Sequence, residues 1–137
     1  MTSTLCTSGQ ALIRAGKDVS IDFTTHTSAP FSYTDGANVG VAKQQAIDEL
    51  INMTEGEMFI RTGVDWVDKF SSLSTDKKNV VRFTCASGTA FKMIDYDKAS
   101  YPSLADAQTH LDVNFTNFEA GIKQLNQSDT KKKMGVL

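Results

Sequence analysis

Apolar residues recur every three or four positions between Leu104 and Leu125. At 100° per residue they occupy only about 80° of a helix circumference. A seam this narrow is typical of a long helix buried against an antiparallel neighbour. Ser103 can cap its first turn, and Pro102 disfavours helical geometry before it. We therefore predict a helical bundle that ends in this helix. The seam consists of Leu104, Ala107, Leu111, Phe115, Phe118, Ile122 and Leu125.

A second apolar stripe predicts a helix that begins after the N-cap segment 74–76 and runs to about Ile94. Its middle, Ala86–Ala90, consists of small residues. Gly88 costs about 1 kcal/mol relative to alanine in a helix interior, whereas small residues let another helix approach closely. We expect a close helix crossing at this place.

The region from residue 39 to residue 72 predicts two more helices. Thr54 and Glu57 have the spacing of a capping box, so we expect one helix to end and another to begin near residue 54. The second helix, about 56–72, spreads its apolar residues over roughly 160° of arc. Such a broad face fits a core helix or a helix that also packs on a neighbouring subunit. The sequence leaves both open.

The N-terminal residues predict a short helix followed by an extended segment. Residues 8–15 are helical in pattern, with Thr7 as a candidate N-cap and Gly16 placed to end the helix. Residues 19–23 alternate between apolar and polar, which is typical of a half-buried strand. Residues 24–38 are rich in side chains that compete with backbone hydrogen bonds, and we expect an extended arm there.

The C-terminal residues 128–137 depart from the helical seam. Lys131, Lys132 and Lys133 precede an apolar end, and we expect a mobile tail that can dock on another surface. Three positive charges suffice for a weak contact with DNA phosphates or an acidic protein surface. A solvated terminus is the simpler alternative.

Length and composition predict one soluble domain. The helical patterns make it mainly α: a small helical bundle with a short N-terminal strand or extended arm and a flexible C-terminal tail. The chain has 137 residues, of which 40% are hydrophobic and 22% charged. Within it we separate residues 1–38, a helical core of 39–127, and the tail of 128–137. The net charge of -2 argues against a protein that coats nucleic acid.

The cellular setting expected from the sequence is a reducing cytosol. No apolar run approaches the roughly 20 residues that cross a bilayer, so we expect no membrane contact, and the start lacks the features of a signal peptide. Cys6 and Cys85 lie far apart and belong to no CxxC pair. They are interpreted as two packing thiols.

Motifs with a known catalytic or metal-binding basis are absent from the sequence. There is no phosphate-binding glycine loop, HExxH or CxxC. Asp106, His110 and Asn114 share one helix face at ligand-compatible spacing, but a polar helix edge is the simpler interpretation. We therefore expect no cofactor, no metal and no catalytic residues.

The short chain contains, in this order, a pair of helices, the stretch Arg82–Asp97, a break, and a long terminal helix with Leu111–Phe118. In this helix order, in chain length and in its mobile ends, the sequence from Val39 to Leu125 resembles the head-to-tail connector (adaptor) proteins of tailed bacteriophages. That family has no shared catalytic motif. The resemblance is therefore one of architecture.

The resemblance implies a non-enzymatic virion protein, made in the host cytoplasm. Such proteins form a ring, commonly dodecameric, beneath the portal protein of the capsid. The ring contacts neck and tail proteins below and packaged DNA non-specifically in its lumen. The arm and the tail would then reach the portal or a neighbouring subunit, and the three lysines would meet DNA. Candidate interface residues are Phe31, Tyr33, Phe59, Trp66, Phe70, Met134, Val136 and Leu137.

Two other functions remain open from the sequence. A small helical hydrolase or isomerase would place a site near His26 and Asp35 under the arm. A monomeric helical binding module would recognise a protein partner through Trp66 and Phe70. The first requires an inward-facing histidine and the second requires exposed aromatic side chains.

Overall fold

The computed structural model describes residues 5–15, 39–96 and 103–136. The mainly helical class is confirmed for these residues, which contain no strand. The predicted strand and arm lie outside the described residues. The helices are α1 (Ser8–Ala15), α2 (Val39–Thr62), α3 (Trp66–Lys69), α4 (Thr75–Tyr96), α5 (Leu104–Leu125) and α6 (Ser128–Lys133), with a 3-10 turn at Phe70–Ser72 after α3.

The predicted opening helix and its cap are confirmed in α1. The Gln10 backbone N–H donates to Thr7 Oγ1 at 3.2 Å, and Thr7 N–H donates to Gln10 Oε1 at 2.9 Å. This reciprocal pair satisfies two backbone donors at the start of the helix. Ala11 and Ala15 are buried, and α1 packs mainly on α4.

Helix α2 is continuous through Thr54, so the predicted break near residue 54 is wrong. Thr54 is buried and its hydroxyl donates to the Leu50 carbonyl at 2.9 Å, within the same helix. Glu57 reaches across to Lys92 of α4 at 2.9 Å. Both side chains of the apparent capping box therefore have other partners.

The predicted helix over 56–72 is interrupted after Thr62. Gly63 adopts a φ of 73°, a left-handed conformation that favours glycine and ends helices. The chain restarts at Asp65, whose carboxylate caps α3 by accepting from Asp68 N–H at 3.2 Å. This break turns Trp66 inward, where its Nε1–H donates to Thr62 Oγ1 at 2.9 Å.

Helices α4 and α5 cross closely, as the small residues of α4 predict. A Cβ added at Gly88 would lie 2.6 Å from Phe118 Cδ1 and 2.8 Å from Thr54 Cγ2. On the facing helix, a Cβ at Gly121 would lie 2.8 Å from Thr84 Cγ2. Glycine at both positions therefore permits the contact on which α4 and α5 pack.

The long last helix is confirmed over Leu104–Leu125, and its cap is Ser103, whose Oγ accepts from Asp106 N–H at 3.1 Å. Its buried face differs in part from the predicted seam, because Leu104 and Phe115 are exposed. The buried face includes Asn114 and Gly121 and is therefore centred away from Phe115. Its members are Ala107, Leu111, Asn114, Phe118, Gly121, Ile122 and Leu125.

The C-terminal residues as far as Val136 pack against the bundle and do not form the predicted mobile tail. Met134 is buried and Val136 packs partly against the core. Gly135 has a φ of 74°, and Val136 N–H donates to the Lys131 carbonyl at 3.0 Å. This is the Schellman arrangement that ends a helix and turns the next apolar residue back onto the protein.

Candidate functional site

The aromatic residues predicted to form an interface separate into one exposed and two buried side chains. Phe59 is 46% exposed, whereas Trp66 is 1% exposed and Phe70 is also buried. Trp66 and Phe70 are core residues and present little surface to a partner. Phe31 and Tyr33 lie outside the described residues. Of the predicted interface aromatics that are described, only Phe59 lies on the surface.

The outward face of α2 carries a group of exposed apolar side chains, which we name the α2 patch: Met53, Phe59 and Ile60. Ile60 is 81% exposed and Met53 about half exposed. Gly56 lies on the same face, and a Cβ there would meet nothing within 4 Å. Sequence reasoning missed Met53 and Ile60 because the predicted break at residue 54 divided this face between two helices.

A second apolar surface, the α5 patch, consists of Phe115 and Phe91. Phe115 is 48% exposed, and its ring centroid lies 5.4 Å from that of Phe91 on α4. The two rings form a tilted pair at the surface between α4 and α5. Sequence reasoning placed Phe115 in the buried seam. A stripe of apolar residues identifies one face of a helix, but it does not show how much of that face the neighbouring helix covers.

Ion pairs join α2 to both helices of the α5 patch. Arg61 donates to the two carboxylate oxygens of Glu119 at 2.6 and 2.7 Å and lies 3.5 Å from Glu57. Lys92 donates to Glu57 at 2.9 Å. The hydrogen bond from Arg61 lowers the pKa of the Glu119 carboxyl. These pairs add to the packing of α2 on α4 and α5.

The three C-terminal lysines have unequal roles. Lys131 donates to the Thr62 carbonyl at 2.8 Å and to Asn126 Oδ1 at 2.9 Å, so it ties α6 to the end of α2. Lys132 and Lys133 are exposed in the last turn of α6. Only these two are presented for the predicted contact with DNA or an acidic surface. Leu137 lies outside the described residues.

The polar edge of α5 is explained by packing. Asn114 is buried, and its amide donates to the Arg14 carbonyl at 3.0 Å and to the His110 carbonyl at 2.9 Å. In the part of the chain that the structure describes, no three His, Cys, Asp or Glu side chains are grouped as metal ligands. His26 and Asp35, the centre of the enzyme alternative, lie outside it.

An open groove lies between α1 and α5, with a volume of about 410 Å³. Gln10, Arg14 and Asn117 contribute polar groups to its lining. The Arg14 guanidinium stacks over the Phe83 ring at 4.0 Å, a contact that holds it against α4. The groove is open, and the described residues that line it include no carboxylate or thiol.

The two cysteines lie side by side inside the bundle. Cys6 Sγ is 3.4 Å from Cys85 Sγ, and both residues are buried and free. The contact with Cys6, together with burial, raises the pKa of the Cys85 thiol. The Leu5 backbone N–H donates to Glu55 Oε2 at 2.8 Å and holds the chain next to Cys6. Their separation of 79 positions gave no sequence signal for this pairing.

Comparisons of the chain with protein-family models, curated proteins and solved structures found no match. Among the described helices, none combines the length and apolar character needed to cross a membrane. The structure defines a helical bundle, and its exposed large apolar side chains include Met53, Phe59 and Ile60 on α2 and Phe115 on α5.

Proposed function

We propose that this chain is a non-enzymatic structural subunit that assembles head to tail into a ring, as the connector (adaptor) proteins of tailed bacteriophages do. The observation that carries the proposal is the presence of two different exposed apolar patches, on α2 and at the α4–α5 surface. The ring would be dodecameric and would join the portal to neck and tail proteins in the virion, after synthesis in the host cytoplasm.

The two patches suit a ring because neighbouring subunits in a cyclic assembly use different surfaces. One subunit presents the α2 patch and the next receives it on the α5 patch. Each patch has a large aromatic side chain, Phe59 or Phe115, of the kind enriched at the centres of interfaces. Helices α2, α4 and α5 share one hydrophobic core, so the two patches keep a constant relative orientation, which a closed ring requires of every subunit.

The charge distribution suits a channel through which DNA must slide. The net charge is -2, and a protein with few phosphate contacts binds DNA weakly and non-specifically. Lys132 and Lys133 are the exposed cations of α6, and they would face the DNA. Neutralising both would reduce the salt dependence of any DNA binding without unfolding the bundle.

Burial favours this proposal over the binding-module alternative. That alternative depends on Trp66 and Phe70, which are buried in the core. Replacing Trp66 by alanine would therefore cost about 3–5 kcal/mol of stability, so its effect on partner capture would reflect lost packing rather than a lost contact. No described residue favours the enzyme alternative.

The experiment is mild crosslinking in the native source, followed by affinity capture of the tagged chain and mass spectrometry. We expect recovery of a portal-sized ring protein and tail components together with multiple copies of this chain. When every copy carries Ile60→Asp, the chain should lose its neighbouring copies, whereas Ser71→Asp, which adds the same charge at an exposed turn, should keep them. Recovery of the wild-type chain alone, or with one soluble cellular protein, would refute the proposal.

A further inference from the structure

We propose that Cys6 and Cys85 are a modification site: a dithiol that closes to a reversible disulfide and ties the N-terminal segment to α4. Their sulfur atoms are 3.4 Å apart. A disulfide requires about 2.05 Å, so the sulfurs need to approach by only about 1.4 Å. This property is independent of the proposed ring.

The surroundings of the two thiols hold them in this arrangement. Cys85 lies in the middle of α4, which is buried on several sides. Cys6 precedes α1 in a non-helical segment, whose backbone can adjust more easily than that of a helix. Glu55 accepts the Leu5 N–H at 2.8 Å, and Thr7 begins the capping box of α1. These contacts of the neighbouring residues hold Cys6 next to Cys85 in the folded chain.

The chemistry balances with a peroxide as oxidant. The Cys6 thiolate attacks one oxygen of hydrogen peroxide and breaks the O–O bond, which gives a sulfenic acid and, after proton transfer, water. The Cys85 sulfur then attacks the Cys6 sulfur, and the sulfenic hydroxyl leaves with the Cys85 proton as a second water. Two thiols are oxidised and one peroxide is reduced. Two molecules of glutathione reduce the disulfide back to two thiols and become one glutathione disulfide.

The order of the two steps follows from the two environments. Cys85 is fully buried, and its raised pKa keeps it protonated and unreactive towards the oxidant. Cys6 is also buried, but it lies in the non-helical segment before α1, which opens locally at a lower cost than the middle of α4. Oxidation therefore begins at Cys6, and Cys85 acts as the resolving thiol.

The test compares disulfide formation in the folded and the unfolded full chain. Both are equilibrated with a series of glutathione redox buffers, quenched with acid and alkylated. Trypsin then releases the peptides Met1–Arg14 and Phe83–Lys92, which remain joined when the disulfide is present. Because a compatible fold favours the bond, we expect an equilibrium constant about 30- to 1000-fold higher for the folded chain than for the chain in concentrated guanidinium.

An equal or lower constant in the folded chain would overturn the proposal, since the fold would then oppose the bond. Formation of only glutathione-mixed disulfides, or of only disulfides between chains, would overturn it as well. Cys6→Ser keeps Cys85 and its helix unchanged, and it should yield no joined peptides. Cys6→Ala repeats this control without a hydroxyl, and circular dichroism checks that both variants remain folded.

Discussion

Gly88 and Gly56 are both helical glycines, and their surroundings predict opposite effects of the same substitution. At Gly88 a new methyl group would lie 2.6 Å from the Phe118 ring and 2.8 Å from Thr54. Although alanine is the better helix former, we expect Gly88→Ala to lower the free energy of unfolding by about 1–3 kcal/mol through overpacking. Denaturant unfolding followed by circular dichroism measures this.

Gly56→Ala is the matched control, because a Cβ there would meet nothing within 4 Å. It should raise the free energy of unfolding by up to about 1 kcal/mol, the helix-propensity difference between the two residues. If Gly88→Ala also stabilised the protein, the close crossing of α4 and α5 would be wrong.

The Arg61–Glu119 pair predicts a pH-dependent part of stability. Its hydrogen bond lowers the pKa of Glu119 below the ordinary value of 4.5. A lowered carboxyl pKa stabilises the fold above that ordinary value, and the contribution is lost as the pH falls through the folded-state pKa. Both side chains are more than a third exposed, so solvent screening limits the effect to less than about 1 kcal/mol.

Glu119→Gln should therefore be less stable than the wild type at neutral pH and equal to it in strong acid. Urea unfolding at several pH values measures the difference, which should also shrink with added salt. A constant difference across the acidic range would show that the substitution acts through packing rather than through charge.

At the scale of elements, the last helix and its turn predict a stability role for the C terminus. Met134 is buried beneath α6, so Met134→Ala should cost about 2–3 kcal/mol. Lys132 is exposed and lies two residues earlier, so Lys132→Ala should change the free energy of unfolding by no more than about 0.5 kcal/mol. Thermal and denaturant unfolding compare the two. Equal stabilities would restore the interpretation of residues 128–137 as a tail that does not contribute to the bundle.

The elements predicted best from the sequence are those whose signals are local. The caps at Thr7 and Ser103 and the extent of α5 depend on residues within a few positions of each other, and all three are confirmed. The predicted seam of α5 is confirmed in part, since Leu104 and Phe115 are exposed. The false break at Thr54 also arose from a local pattern. The hydroxyl of Thr54 instead donates to a carbonyl within its own helix. The choice between a helix cap and this hydrogen bond depends on the packing of α4 against α2.

The candidate sites were harder to predict because they depend on which faces remain uncovered. The sequence left Trp66 and Phe70 open between the core and a subunit interface, and after the turn at Gly63 both are buried. Ile60 and Phe115 looked like core residues but are exposed. The contact of Cys6 with Cys85 joins positions 79 residues apart, a distance over which hydrophobic periodicity carries no information.

At the scale of the whole molecule, the two patches predict how mutant subunits combine. Ile60→Asp places a charge in the α2 patch and Phe115→Asp places one in the α5 patch. Ile60 is 81% exposed and Phe115 is 48% exposed, and circular dichroism checks that each variant keeps the fold. In a head-to-tail assembly each variant keeps one intact surface. Each variant alone should remain monomeric, since its intact patch finds no complementary one.

Mixing the two variants should restore one interface per pair of chains. The Ile60→Asp chain has an intact α5 patch, which can receive the intact α2 patch of the Phe115→Asp chain. The mixture should therefore give one-to-one dimers and nothing larger, whereas wild-type chains crosslink into longer series. Crosslinking followed by mass measurement distinguishes these species. If the α2 patch instead paired with itself, Phe115→Asp alone would form dimers and mixing would add none, and the head-to-tail arrangement would be refuted.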